Sequence, residues 1–170
     1  MKKAKLIPLI FTIFIAGCST DEATSATNPT DVSVGNDVLS YYDTKSDITD
    51  NIYKLITFYD SALINLDFDN SIDVVLNDDE EIRAIYINTE DAITYQNISI
   101  GDSKTKVKDS YLYETEYKNY VLVLFDGETE VDSTVGENEN EYIWINYRFD
   151  DDNILYQISI YDYSYGRYSR

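Results

Sequence analysis

Ile145-Asn146-Tyr147-Arg148-Phe149-Asp150-Asp151-Asp152 alternates apolar and polar side chains through Phe149 and then breaks into three carboxylates. Alternation at period two marks a half-buried strand, because successive side chains leave a strand on opposite faces. The carboxylate run reads as a turn, and Ile158 and Ile160 beyond it restore the period as a returning strand. The same order occurs earlier in the chain, where Ile72-Asp73-Val74-Val75-Leu76-Asn77-Asp78-Asp79 precedes Ile85 and Ile87.

A second pair of segments matches in the same order. Asp43-Thr44-Lys45-Ser46-Asp47-Ile48 lies beside Asp102-Ser103-Lys104-Thr105-Lys106-Val107, with one charge reversal at Asp47 and Lys106. Aspartate and a hydroxyl residue at a helix start cap free backbone N–H groups, so each segment predicts a short helix. Val38 to Tyr41 and Ile98 to Ile100 are the extended pieces in front, and Ala62 to Phe68 and Tyr120 to Phe125 predict one further strand in each copy. The expected fold class is therefore α+β: an antiparallel sheet from two related helix-plus-three-strand units, residues 38–90 and 97–162, with the helices on one face. The second unit is the longer, mostly in the polar stretch Asp126 to Glu141, which reads as a long hairpin loop. Residues 163–170 read as a C-terminal tail.

Composition narrows the function classes. The chain has 170 residues, 32 acidic against 13 basic, 17 Tyr, one Trp, one Cys and no His. Without imidazole, serine–histidine and cysteine–histidine nucleophile systems are ruled out, as is histidine metal ligation. A surface this anionic is repelled by phosphate backbones, so nucleic acid is not expected as a partner. The abundance of Tyr, Ile and Val suits strands, and the apolar content argues against disorder.

The N-terminus carries an address. Met1-Lys2-Lys3-Ala4-Lys5 is basic, Leu6 to Ile15 is apolar apart from Pro8 and Thr12, and Ile15-Ala16-Gly17-Cys18 follows. This is the layout of a secretory signal peptide, too short for a membrane-spanning helix. Ile15 to Cys18 resembles the lipobox of bacterial lipoproteins. The resemblance implies lipidation of Cys18, two acyl chains that hold the protein stably, and a place on the extracytoplasmic side of a cell membrane. Residues 1–17 are then the signal peptide and 18–37, rich in Ser, Thr, Asp, Ala and Asn, a flexible tether. Removing 1–17 leaves 10 of the 13 basic residues beside all 32 acidic ones, a formal charge of −22. The lipid, not electrostatics, is expected to supply the membrane contact.

Ile100-Gly101-Asp102-Ser103, followed by Lys104 to Val107 and a meander with an acidic turn, resembles the SmpA/OmlA-type envelope lipoproteins and the tandem beta-lactamase-inhibitor-protein fold. That group implies helices packed on one face of an antiparallel sheet and protein contacts through the other face or its edge. Tyr111-Leu112 stands where the group has Leu-Gly, and Tyr42 replaces the opening glycine in the first unit.

Candidate sites follow from strand parity. With Ile143, Ile145, Tyr147 and Phe149 inward, Tyr142, Trp144, Asn146 and Arg148 face outward. On the returning strand Ile154, Tyr156, Ile158 and Ile160 are expected inward, and Leu155, Gln157, Ser159 and Tyr161 outward. Tyr142, Trp144, Arg148, Gln157 and Tyr161 form the predicted partner-binding set, because Tyr, Trp and Arg dominate binding hot spots. The acidic turns and Asp67-Phe68-Asp69 do not make a calcium loop. Counting from Asp67, the glycine place holds Ile72 and the glutamate place Asp78. No metal site or cofactor is expected beyond weak, nonspecific divalent-cation association. The reading is a non-enzymatic, lipid-anchored binding protein for an envelope or extracellular protein of unknown identity. An exclusion or immunity lipoprotein is the first alternative and a carboxylate-dependent cell-wall glycan hydrolase the second.

Overall fold

Gly35 takes φ 63, a left-handed conformation open to glycine, and so turns β1 (Asp31–Val34) into β2 (Asp37–Ser40). The computed structural model describes residues 26–60, 71–132 and 142–162. Beyond this first hairpin come α1 (Asp50–Tyr53), β3 (Ile56–Asp60), β4 (Ile72–Leu76), β5 (Ile82–Ile87), β6 (Ala92–Thr94) and β7 (Ile98–Ser99). Then follow α2 (Lys104–Asp109), β8 (Thr115–Glu116), β9 (Tyr120–Asp126), β10 (Thr129–Val131), β11 (Ile143–Phe149) and β12 (Leu155–Asp162). A four-stranded sheet has the order β2-β1-β6-β7. An eight-stranded sheet has the order β10-β9-β11-β12-β5-β4-β3, with β8 beside β9. Its neighbours are antiparallel except β3 and β4, which run parallel.

The core lies between the sheets. Val32, Leu39, Ala92 and Ile98 of the small sheet share one buried cluster with Ile72, Val74, Ile85, Ile87, Val121, Val123, Ile145, Tyr147, Ile158 and Ile160 of the large one. Ile52 of α1 and Val107 of α2 complete it. Each fully buried Ile contributes roughly 1.5–3 kcal/mol relative to exposure, so the alternation read from Ile145 onward is what fixes this face. No helix among the described residues is long and apolar enough to cross a membrane.

The expected α+β architecture does not form. Among the described residues the fold is mostly β, with 51% strand and 11% helix, and the large sheet is mixed. The two α-helices span four and six residues, and a second sheet takes the place expected for a helical layer. The physical reason is local. Thr44 donates its N–H and its hydroxyl to Asp47 Oδ2, at 2.9 and 2.6 Å, which closes a turn where a helix was expected. The matching place in α2 is Lys106, a good helix former. There Ser103 Oγ accepts from Lys106 N at 3.2 Å as an N-cap. The expected strand Ala62 to Phe68 falls in 61–70, outside the described residues; β3 lies just before it.

What the two segments do share is a hydrogen-bond pattern. Asp43 Oδ2 accepts from Ser40 N and Asp102 Oδ2 from Ser99 N, both at 2.8 Å. Lys45 N donates to Glu80 O and Lys104 N to Asn153 O, both at 2.9 Å. In the turns, Asn77 Oδ1 accepts from the N–H groups of Asp79 and Glu81, as Asp150 Oδ1 does from Asp152 and Ile154. Glu80 and Asn153 both sit in the left-handed region, at φ 60 and 61. The hairpins β4–β5 and β11–β12 meet through Ile85↔Ile160 and Ile87↔Ile158, which relates them by a local twofold.

Both hairpins also carry a bulge at the same place. The register shifts between Val75 and Leu76 and between Arg148 and Phe149. One extra residue on β12 reverses side-chain parity beyond it. Leu155, expected outward, is therefore 1% exposed, while Ile154 and Tyr156, expected inward, are 39% and 49% exposed.

Candidate functional site

The face of the large sheet turned away from the small sheet is built in cross-strand rows. One row runs Leu124, Trp144, Tyr161, Ala84, Val75; the next runs Leu122, Asn146, Ser159, Tyr86, Asp73. The third begins Tyr120, Arg148, Gln157. The first two rows are largely buried: Val75, Ala84 and Tyr86 form their own apolar cluster, with Tyr59 and Tyr161 packed against it. In the third row, at the end of the sheet, Arg148 is exposed, Tyr120 half-buried and Gln157 buried.

The predicted set is therefore divided. Trp144 is half-buried and lies across the register from Tyr161, with ring centroids 6.3 Å apart. Tyr142 is half-buried just before β11. Gln157 is buried, and its Nε2 donates to Asn88 Oδ1 at 2.9 Å. Of the five predicted contact residues, Arg148 alone is exposed. Trp144 pairs with Tyr161 and Arg148 with Gln157, but the buried Asn146–Ser159 row separates the two pairs. Cys18 lies outside the described residues.

Around Arg148 the structure assembles residues that the parity argument passed over. Phe149 N donates to Asn119 O at 2.8 Å, which seats the turn Tyr117-Lys118-Asn119-Tyr120 against the end of β11. Tyr117 N donates to Tyr120 O at 2.8 Å, and the two rings stack at 4.3 Å with planes 19° apart. Tyr117 and Tyr156 are exposed, and so is Lys118. The spacing of Tyr117 and Tyr120 across a four-residue turn between β-formers was the available signal. Tyr156 needed the bulge, which the sequence does not announce.

Lys104 holds this turn in place. Its buried ammonium donates to Tyr117 O at 2.8 Å and Lys118 O at 3.2 Å, and pairs with Glu116 at 3.0 Å. It also lies 5.8 Å from the Phe149 ring centroid. Hydrogen bonds from Lys108 and Lys104 hold the Glu116 carboxyl below its ordinary value.

Charge pairing singles out the same end. Of the eight described cations, Lys45, Arg83, Lys104, Lys106 and Lys108 are in ion pairs. Among the described residues Lys54, Lys118 and Arg148 are not, and of these Arg148 alone lies within a strand. At the twofold-related place of β4–β5, Val75 and Ala84 stand for Arg148 and Gln157 and are fully buried. The aromatic–cation patch therefore belongs to one hairpin and has no counterpart on the other.

Fold and site together define a mostly β, two-sheet domain with exposed tyrosines near an arginine that has no ion pair among the described residues. Among the described residues no three acidic or cysteine side chains converge to hold a metal ion. No protein-family model matches the chain, and neither does any curated protein or solved structure.

Proposed function

We propose that this chain is a lipid-anchored, non-enzymatic binding protein on the extracytoplasmic side of a cell membrane. It recognises another envelope or extracellular protein through the sheet end centred on Arg148. The observation that carries this reading is Arg148 itself: exposed, without an ion pair among the described residues, and flanked by the Tyr117–Tyr120 stack. Arginine and tyrosine in a rigid setting supply large contact area and directed hydrogen bonds, the composition of energetic centres in interfaces. The lipobox-like Ile15 to Cys18 supports the membrane address.

A photo-crosslinking amino acid at position 156 in intact cells tests this. A discrete protein adduct that disappears in Arg148→Ala is expected, with none from the same group placed at exposed position 53. Absence of an adduct at 156, or equal adducts at both positions, overturns the reading.

A further inference from the structure

We infer that the partner is a cationic protein that presents a single carboxylate to Arg148; this rests on the binding role proposed above and specifies the chemistry of the other side. Two features of the charge distribution lead there. The first is global. The whole chain carries a formal −19, and loss of residues 1–17 brings it to −22. A field of that sign speeds the approach of positive partners and slows negative ones, most strongly at low salt. Polyanionic glycans and nucleic acids are disfavoured on the same ground.

The second is local and of opposite sign. Arg148 stands within β11, in register with Tyr120 on one side and Gln157 on the other. Exposed Lys118 is in the turn seated against the same strand end. Just beyond, Asp150, Asp151 and Asp152 are all exposed in the turn that follows β11. The surface is thus a cationic, aromatic centre within an acidic rim. A guanidinium on such a surface matches a carboxylate in a bidentate geometry. The rim matches lysines or arginines around it. A uniformly basic partner would leave Arg148 facing a like charge, and a uniformly acidic one would be repelled by the rim.

Centre and rim affect different rate constants. Charges at an interface rim act mainly on association and its salt dependence, whereas a desolvated pair at the centre acts on dissociation. Panning of short random peptides on phage against the purified protein provides the probe. Peptides enriched on the wild type should carry one Asp or Glu between Lys or Arg residues, with an apolar or aromatic neighbour. On Arg148→Glu the central acid should be replaced by Lys or Arg.

For a synthetic peptide of the enriched sequence, Arg148→Ala should weaken binding at least about tenfold, about 1.4 kcal/mol, through faster dissociation. Replacing Asp150, Asp151 and Asp152 by Asn should slow association and flatten its salt dependence. Lys118→Glu serves as a second variant, expected to shift the selected peptides in the same direction, and each variant's unfolding midpoint is measured alongside. Enriched peptides without a central acid, the same peptides on Arg148→Glu, or no enrichment at all would overturn the inference. If the adduct at position 156 persists in any of those cases, the binding role stands and only this charge pattern falls.

Discussion

Lys104 and Tyr117 are joined by a hydrogen bond of 2.8 Å from a buried ammonium to a backbone carbonyl, and that bond ties α2 to the turn bearing the aromatic pair. All three ammonium protons are used, on Tyr117 O, Lys118 O and the Glu116 carboxylate. Lys104→Met keeps an unbranched side chain of similar length and removes the donors. Hydrogen bonds to charged groups contribute about 1.5–3 kcal/mol each when buried partners are left without them. The turn carbonyls regain water, so the lower end applies. A loss of about 1.5 kcal/mol in urea unfolding is expected, together with faster amide exchange at Asn119 and Tyr120. Unchanged exchange in that turn would show that α2 does not position it.

The turns of the two related hairpins differ in one telling way. Glu80 and Asn153 occupy the same left-handed position, at φ 60 and 61. Asparagine tolerates that conformation better than glutamate, whose longer side chain gains no local hydrogen bond there. Glu80→Asn should raise stability by about 0.5 kcal/mol, less the small contribution of the exposed Lys45–Glu80 pair at 3.4 Å. Asn77→Ala removes the acceptor for two turn N–H groups and should cost about 1 kcal/mol. Thermal unfolding of both variants checks the pair; destabilisation by Glu80→Asn would contradict the turn geometry.

How much of this was legible follows from the same hairpins. Alternation through Ile143, Ile145 and Tyr147 gave their burial, and the carboxylate runs gave both turns, because period and turn chemistry are local. The bulge at Arg148 and Phe149 was not legible: nothing in Asp152 to Tyr156 distinguishes a strand with one extra residue from one without it. That single residue moved Leu155 into the core and Tyr156 to the surface. Nor was the fold class. Asp43 to Ile48 has a helix-start pattern, but Asp47 closes a turn with Thr44 instead. The parallel pairing of β3 with β4 is a long-range choice that no local pattern encodes. Of the site, Arg148 was legible from parity, whereas the exposed Tyr117 and Tyr156 required tertiary contacts.

Acid should first stabilise this protein. Burial raises the carboxyls of Asp31 and Asp43 above their ordinary 3.8. A raised value means that the folded state binds the proton more tightly than the unfolded one, so stability is gained as pH falls from neutral through these groups. Relief of self-repulsion acts in the same direction. Glu116 and Asp47 are held below their ordinary 4.5 and 3.8, by Lys108 and by Thr44 respectively. Their contribution is present above those values and is lost as pH drops further. The urea midpoint should therefore rise from pH 7 toward the ordinary carboxylate range and fall again below 3.8. Asp43→Asn keeps an acceptor for Ser40 N while removing the titration, and should reduce the rise. A midpoint that declines steadily from pH 7 would contradict both assignments.

Cys18 is the chain's single cysteine, so Cys18→Ala tests the anchor without disturbing any disulfide. The variant should appear in the soluble fraction or remain unprocessed, because the thiol that would carry the diacylglyceryl group is absent. Processing and membrane retention equal to wild type would refute lipidation.

Trp144 separates stability from binding. Its ring lies 6.3 Å from that of Tyr161 and its β9 register partner is the buried Leu124. Truncating a fully buried Trp or Phe to alanine costs about 3–5 kcal/mol; Trp144 is half-buried, so about 2 kcal/mol is expected. The Arg148 row lies four residues further along β11, with the Asn146 row between, and its backbone register does not depend on the indole. Trp144→Ala should thus lower the unfolding midpoint clearly while weakening peptide or partner binding less than Arg148→Ala does. Arg148→Ala should do the reverse, changing stability by less than about 0.5 kcal/mol, as surface substitutions do. Unfolding and binding measured on the same two variants decide it. A Trp144→Ala protein of wild-type stability with lost binding would move the contact centre from Arg148 to the tryptophan row.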